Sequence, residues 1–146
     1  MNIKKTANLL LNFAIKRIAE IFGIIIFGSG LLLLISLLSY SPDDPNFIFP
    51  DNTQIKNLLG FQGSFISDIF FQSVGLVSYL ISLTFLITGI NIFRTKEFFL
   101  FIENIFFVIL YSIFGTLFLT HFYSDIFTFY INGNGGFVGN YLNQTF

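Results

Sequence analysis

Four groups of residues in this chain have a type or spacing that could support chemistry. Asp43 and Asp44 are adjacent carboxylates, a pairing used in acid–base and metal chemistry. His121 is the single histidine, and Glu103 is an acid inside an apolar run, where a proton or ion relay would need one. Glycines between 133 and 139 give a loop with the look of a phosphate site.

The two carboxylates and the histidine lack the partners that catalysis or metal binding requires. Pro42 and Pro45 flank the two aspartates, a pattern typical of a turn in which adjacent side chains diverge. His121 has a single neighbouring ligand candidate, Asp125, one helical turn away, whereas a metal site needs three or more ligands. The sequence therefore predicts no metal site here and favours a turn at 42–45.

The glycines Gly133, Gly135, Gly136 and Gly139 do not complete a phosphate loop. That loop needs a Gly-Lys-Ser/Thr sequence, and no lysine follows Lys96. There is no cysteine, which excludes thiol catalysis and disulfides. The sequence therefore predicts neither a catalytic residue nor a bound cofactor in this chain.

Glu103 has three open interpretations. It lies near the cytoplasmic end of its span and follows Lys96 by seven residues on a similar helix face, which favours an interfacial acid or a partner of Lys96 or Arg94. A role in helix assembly is the second interpretation. A relay is the third, but no second acid, lysine or arginine lies within the same apolar run.

Composition places all of these residues in a membrane protein. The chain is 54% hydrophobic and 10% charged, with a mean hydropathy of +0.79. Soluble domains carry about 25% charged residues, so a water-facing globule is excluded. A net charge of −1 does not favour nucleic-acid binding. We interpret the 23 phenylalanines as filling positions that face lipid.

Hydropathy predicts an all-α, polytopic helical membrane bundle with three complete spans and the start of a fourth. An amphipathic, basic segment comes first and could lie on the membrane surface before the chain turns inward. The first span carries a patch of small residues, with glycines at 23, 28 and 30, which favours close contact with another helix. The predicted segments are the basic segment 1–20, span 21–40, loop 41–68, span 69–93, turn 94–97, span 98–120 and tail 121–146.

Finer expectations concern the helix ends and faces. We expect a helix to begin near Ser64, with Ser64 as its cap and Asp68 near the positive end of its dipole. Gly135–Asn140 could open the fourth helix. Three predicted contact faces carry small side chains at every fourth position: Ser78 and Ser82, Thr84 and Thr88, and Ser112, Thr116 and Thr120.

The distribution of positive charge predicts the orientation. Lysine and arginine in short loops favour the cytoplasm. Segments 1–20 and 94–97 carry six such residues, whereas the 41–68 loop and the tail carry only Lys56. The N-terminus is therefore predicted to be cytoplasmic and the 41–68 loop extracytoplasmic.

Three motifs together resemble the N-terminal, four-span membrane domain of FtsK-type bacterial DNA translocases. The first is SYSPDDPNF after the first span, the second is NLLGFQG with downstream Asp68 and Gly75, and the third is GGFVG. The residues that carry the resemblance are Ser39, Tyr40, Ser41, Pro42, Asp44, Pro45, Gly60, Gly63, Asp68, Gly75, Gly135, Gly136 and Gly139.

The resemblance implies a membrane anchor with both termini cytoplasmic, placed in the inner membrane at the division septum. It implies association with division proteins and with further copies, and action in chromosome segregation. DNA and ATP would be bound by a motor that follows the anchor, and no motor residue is carried over here. We expect the coding sequence to continue past Phe146 into an apolar run of about 20 residues.

A second function class remains open. A small transport or channel subunit could use Glu103 and the face of Ser112, Thr116 and Thr120 to line a polar path. A membrane-embedded enzyme would be a third class, but the sequence contains no reactive set of residues.

Overall fold

The computed structural model describes residues 3–45, 54–123 and 131–145. Five α-helices form this part of the chain: α1 (Ile3–Leu38), α2 (Gly60–Val74), α3 (Val77–Thr95), α4 (Phe99–Tyr123) and α5 (Gly136–Thr145). Three segments are long and apolar enough to cross a bilayer: Ala7–Leu38, Val77–Thr95 and Phe99–Tyr123. The predicted all-α membrane bundle is confirmed.

Helix α1 is one continuous helix of 36 residues, about 54 Å long. The predicted turn between segment 1–20 and the first span is therefore wrong. The sequence around residue 20 has neither a proline nor a glycine pair that would stop a helix, so the helical pattern continues. The part before Glu20 extends beyond the bundle, with Leu9 and Phe13 about 60% exposed.

The core of the bundle is an antiparallel seam between α1 and α3. Six buried positions on α1 alternate in steps of four and three residues, which is the heptad spacing of a coiled coil. They are Ala19, Gly23, Ile26, Gly30, Leu33 and Leu37. On α3 the matching buried positions include Ser78, Ser82, Gly89 and Ile92.

Glycines let the two backbones of this seam touch. A Cβ added at Gly23 would lie 2.7 Å from the backbone nitrogen of Phe93 and 2.8 Å from the carbonyl oxygen of Gly89. A Cβ at Gly30 would lie 2.8 Å from the nitrogen of Leu86. No side chain fits at either position, so the predicted small-residue patch on α1 is a contact surface at Gly23 and Gly30, whereas Gly28 lies outside the contact.

An ion pair closes one end of the seam. Lys96 Nζ lies 2.9 Å from Glu20 Oε1, and Glu20 also pairs with Arg17 of its own helix. Lys96 ends α3 in the left-handed conformation, with φ of 64°. The pair places the 94–97 turn at the same end of the bundle as residue 20.

The predicted span 69–93 is not a single helix, because the chain breaks at Gly75. This glycine has φ of 59° and ψ of −139°, a conformation that is essentially restricted to glycine. The break separates α2, which has 15 residues and is too short to span, from the spanning helix α3.

The expected start of that helix is also corrected. Helix α2 begins at Gly60, and Ser64 does not cap it, because the Ser64 hydroxyl donates to the carbonyl oxygen of Pro45 at 2.9 Å. Asp68 lies in the middle of α2 and not near its positive end.

Helix α4 buries a face of small hydroxyl side chains and exposes several of its phenylalanines. Its buried residues are Ser112, Thr116 and Thr120, the predicted small face. Phe106 and Phe114 are more than 60% exposed, as expected of a helix surrounded by lipid. Helix α5 crosses the buried face and begins within the Gly135–Asn140 segment, as predicted.

We predict that Gly23→Ala weakens the bundle by about 1–3 kcal/mol, because the methyl group would force apart two backbones in contact. The measurement is the free energy of unfolding of the purified protein in detergent micelles. Gly28→Ala is the matched control on the same helix, since a Cβ at Gly28 meets nothing within 4 Å. Equal loss in both variants would contradict the seam.

Candidate functional site

The first motif folds into a turn whose buried carboxylate holds a distant stretch of chain. The amide of Asp44 donates to the carbonyl oxygen of Ser41 at 3.2 Å. Asp44 is 4% exposed, and its two oxygens accept the amides of Lys56 and Asn57, each at 2.8 Å. Bonds to an ionised acceptor are stronger than neutral ones, so Asp44 fixes the path of the second motif.

Asp43 points the other way and stays at the surface. Its Oδ2 lies 2.7 Å from Lys56 Nζ. The bond from Lys56 lowers the pKa of Asp43, and the carboxylate raises the pKa of Lys56. The contribution of Asp43 is present above the ordinary carboxyl pKa of about 3.9 and is lost as pH falls through the lowered value. The two aspartates thus differ in burial, and both bond to Lys56, Asp44 at its amide and Asp43 at its side chain.

The second motif is pinned to the end of α1 by backbone and side-chain bonds. Asn57 Nδ2 donates to the carbonyl oxygen of Ser36 at 2.9 Å, and Ser36 Oγ donates to the carbonyl oxygen of Gly63 at 2.5 Å. A Cβ at Gly63 would collide with the side chains of Asn57 and Leu59. The glycine therefore allows α2 to lie directly against this loop.

A chain of hydrogen bonds then joins the second motif to the third. Tyr40 Oη donates to Asp68 Oδ1 at 3.3 Å, and Gln72 Nε2 donates to the same oxygen at 3.4 Å. The backbone amide of Asn132 donates to Gln72 Oε1 at 3.2 Å. The side chain of Asn132 donates to the backbone carbonyl oxygen of Gln72, also at 3.2 Å. Asn140 of α5 donates to the carbonyl oxygen of Asn132 at 2.8 Å. This polar network, Tyr40 to Asn140, links α1, α2 and α5.

Glycines of the third motif pack against the break at Gly75. The amide of Leu76 donates to the carbonyl oxygen of Asn134 at 2.9 Å. A Cβ at Gly136 would lie 2.6 Å from the nitrogen of Gly75, so backbone meets backbone at this point. Gly136 also has φ of 65°, which favours glycine independently of space.

The same motif covers the buried face of α4. Cβ atoms added at Gly135 and Gly139 would both overlap the side chain of Thr120 and the carbonyl of Thr116. The face that a channel would need is thus occupied by α5. All three motifs meet at the end of the bundle opposite the Glu20–Lys96 pair.

The predicted pairing of Glu103 is wrong for Lys96. Lys96 bonds to Glu20 because it continues the α3 face that meets α1 and so turns away from α4. Glu103 itself is exposed on α4 beside Ile102 and Phe106. It forms no ion pair or hydrogen bond with another residue of the described ranges.

His121 is exposed at the end of α4. Its Nδ1 lies 3.3 Å from Asn143 Oδ1. Asp125, the metal-ligand candidate named from the sequence, lies outside the described residues. In the described part of the chain, no three His, Asp or Glu side chains are grouped closely enough to hold a metal ion.

Sequence reasoning missed the partners that join the motifs. Ser36, Gln72 and Asn132 lie outside the motif residues, yet each bonds to another segment. For Ser36 and Gln72 the available signal was a hydroxyl or amide within an apolar helix, where an unpaired polar group is costly, whereas Asn132 lies in a turn.

These features define a class of protein: a helical membrane bundle whose polar groups point inward and whose motifs join its helices. The model of one family, the 4TM region of DNA translocase FtsK/SpoIIIE, matches residues 15–146. The chain belongs to this family.

Curated relatives agree with the family match. The chain is 36% identical over 72 residues to the DNA translocase FtsK of Rickettsia prowazekii and 38% identical over 78 residues to that of Rickettsia bellii. It is 36% identical over 73 residues to that of Caulobacter vibrioides. These matches cover 49%, 53% and 50% of the chain but only 10%, 10% and 9% of the relatives. No solved structure matches the chain.

We predict that Asp44→Ala destabilises the protein by about 2–4 kcal/mol, because the buried amide of Asn57 and the partly buried amide of Lys56 lose a carboxylate acceptor. Asp43→Ala is the matched control, since it removes an exposed carboxylate from the adjacent position, and we expect little change. Both are measured as the free energy of unfolding in micelles. A larger loss from Asp43→Ala would contradict the role of Asp44.

Proposed function

We propose that the chain is the membrane anchor of a DNA translocase acting in cell division and chromosome segregation. The family match over residues 15–146 is the observation that carries this proposal. The bundle is suited to the task, because its three motifs act as internal joints between helices and none forms a reactive site. We assign DNA and ATP binding to the motor region of the whole protein, and none to residues 1–146.

The proposed location is the inner membrane at the division septum. Its proposed partners are septal proteins and further copies of the chain. The name of the relatives, DNA translocase, supports an anchoring role because a motor that moves DNA needs a fixed point. The exposed apolar sides of α1 and α4 offer contact surfaces within the bilayer.

We propose a cytoplasmic N-terminus. The bundle end that holds the Glu20–Lys96 pair also carries Lys16, Arg17 and Arg94, whereas Lys56 at the opposite end is paired with Asp43. Positive residues are retained on the cytoplasmic side.

Cysteine labelling tests this orientation, since the chain has no native cysteine. A membrane-impermeant maleimide should label Gln54→Cys in intact spheroplasts. Thr95→Cys, exposed at the other end, should react only after permeabilisation. The opposite pattern would reverse the proposed orientation.

A transport or channel subunit is the second candidate function, and the structure supports it less well than it supports an anchor. Gly135 and Gly139 cover the face of Thr116 and Thr120, and Glu103 lies on the outer surface of α4. A polar path between these groups would have to pass through the helix α4 itself.

Glu103→Ala separates the two functions. For an anchor, we expect the fluorescently tagged variant to insert and to concentrate at midcell as the parent does, because the side chain has no partner among the described residues. A conducting subunit would lose ion or solute flux in proteoliposomes. Ile102→Ala is the control on the adjacent exposed position. Unchanged localisation of a flux-dead variant would favour transport, and a parent that does not gather at midcell would overturn the septal anchor.

A further inference from the structure

Helix α2 largely reverses the amphipathic pattern of a helix in water. Apart from Phe71, its buried side chains are the polar Ser64, Ser67 and Asp68, whereas Phe61, Ile66 and Ile69 are 42–50% exposed. A helix in an aqueous loop would bury the apolar set and expose the polar one. The reversed arrangement matches a helix whose outer face is solvated by lipid.

The buried polar side chains of α2 have partners within the protein. Ser64 donates to Pro45, and Ser67 Oγ lies 2.8 Å from the carbonyl oxygen of Gly63. Asp68 accepts from Tyr40 and Gln72. These polar side chains thus find their hydrogen-bond partners within the protein, as polar groups must where no water is present.

The depth of α2 follows from its partners on the spanning helices. Gly63 is bonded to Ser36, which precedes the end of α1. A groove of about 420 Å³ runs between the two helices, lined by Ser29, Leu33, Gly63, Ile66 and Phe85 among others. Phe85 lies about 12 Å along α3 from its first residue, well inside the span. Ile66 shares this groove with Phe85, which favours a position for Ile66 at the level of the hydrocarbon.

The loop that leads into α2 also has its backbone satisfied internally. The amides of Lys56 and Asn57 donate to Asp44, that of Leu58 to Ser39 Oγ, and those of Leu59 and Gly60 to Asn57. Five successive amides thus have acceptors within the protein. Non-helical backbone at membrane depth requires this, whereas a loop in water can use solvent.

We propose that α2 and the loop before it form a shallow re-entrant segment within the leaflet next to the Leu38 end of α1. Phe61, Ile66 and Ile69 contact acyl chains, and an acyl chain of this leaflet occupies the groove between α1 and α2. The segment 41–68 is then only partly aqueous: the turn with Asp43 and Lys56 lies at the surface, and the chain descends from there. With about 22 Å of length, α2 returns to the surface without crossing.

Spin-label accessibility tests this proposal independently of function and orientation. Single cysteines at Ile66 and Ile69, both partly exposed, carry a nitroxide without entering the core. The protein is reconstituted in phosphatidylcholine–phosphatidylglycerol vesicles. Collisions are measured with oxygen, which concentrates among acyl chains, and with a neutral nickel chelate, which stays in water.

We expect the ratio of oxygen to nickel collisions at Ile66 and Ile69 to approach that at Ile87, an exposed position within α3. The ratio should exceed by several-fold that at Gln54, the exposed aqueous control. High nickel collision at Ile69 would overturn the proposal and return α2 to water. Protection of both labels from both reagents would also overturn it, because a protein partner would then cover the helix.

Discussion

Contact between backbones through glycine is the constraint on which the rest of the bundle depends. In lipid, an apolar side chain gains nothing by leaving one apolar medium for another, so helices adhere through close packing. The seam of Gly23, Gly30 and Gly89 sets how α1 meets α3. Gly75 and Gly136 repeat the same device at the other end. The positions of α2 and α5 follow from these contacts, since each is held against a helix of the seam or against the break.

Polar groups supply the specificity that apolar packing lacks. A unique register needs directional bonds, and the network from Tyr40 through Asp68, Gln72 and Asn132 provides them. Asp44 does the same for the loop by accepting two amides. Because an unpaired polar group in a dry environment is costly, each such bond also penalises alternative packings.

The spanning helices could be predicted from the sequence, but the contacts that join them could not. Uninterrupted apolar runs predicted the spans of α1 and α4 because length and hydropathy depend on no other segment. The sequence predicts a continuous helix through Gly75, since glycine is common in membrane helices. The break there depends on contact with Asn134, which is distant in sequence. Glu20 was not expected as the partner of Lys96, because the register of two helices distant in sequence is a tertiary property. The motif residues could be named from the sequence, but their partners could not.

The continuity of α1 has a mechanical consequence. The same 36-residue rod carries the exposed segment before Glu20, the seam and Ser36 near its far end. Long helices curve gently and kink sharply at prolines, at Gly/Ser pairs or at inserted groups, and α1 has no proline but contains Gly28-Ser29-Gly30. A load applied near Leu9 would therefore reach the bonds at Ser36, about 40 Å away, only through this glycine-rich part of the seam.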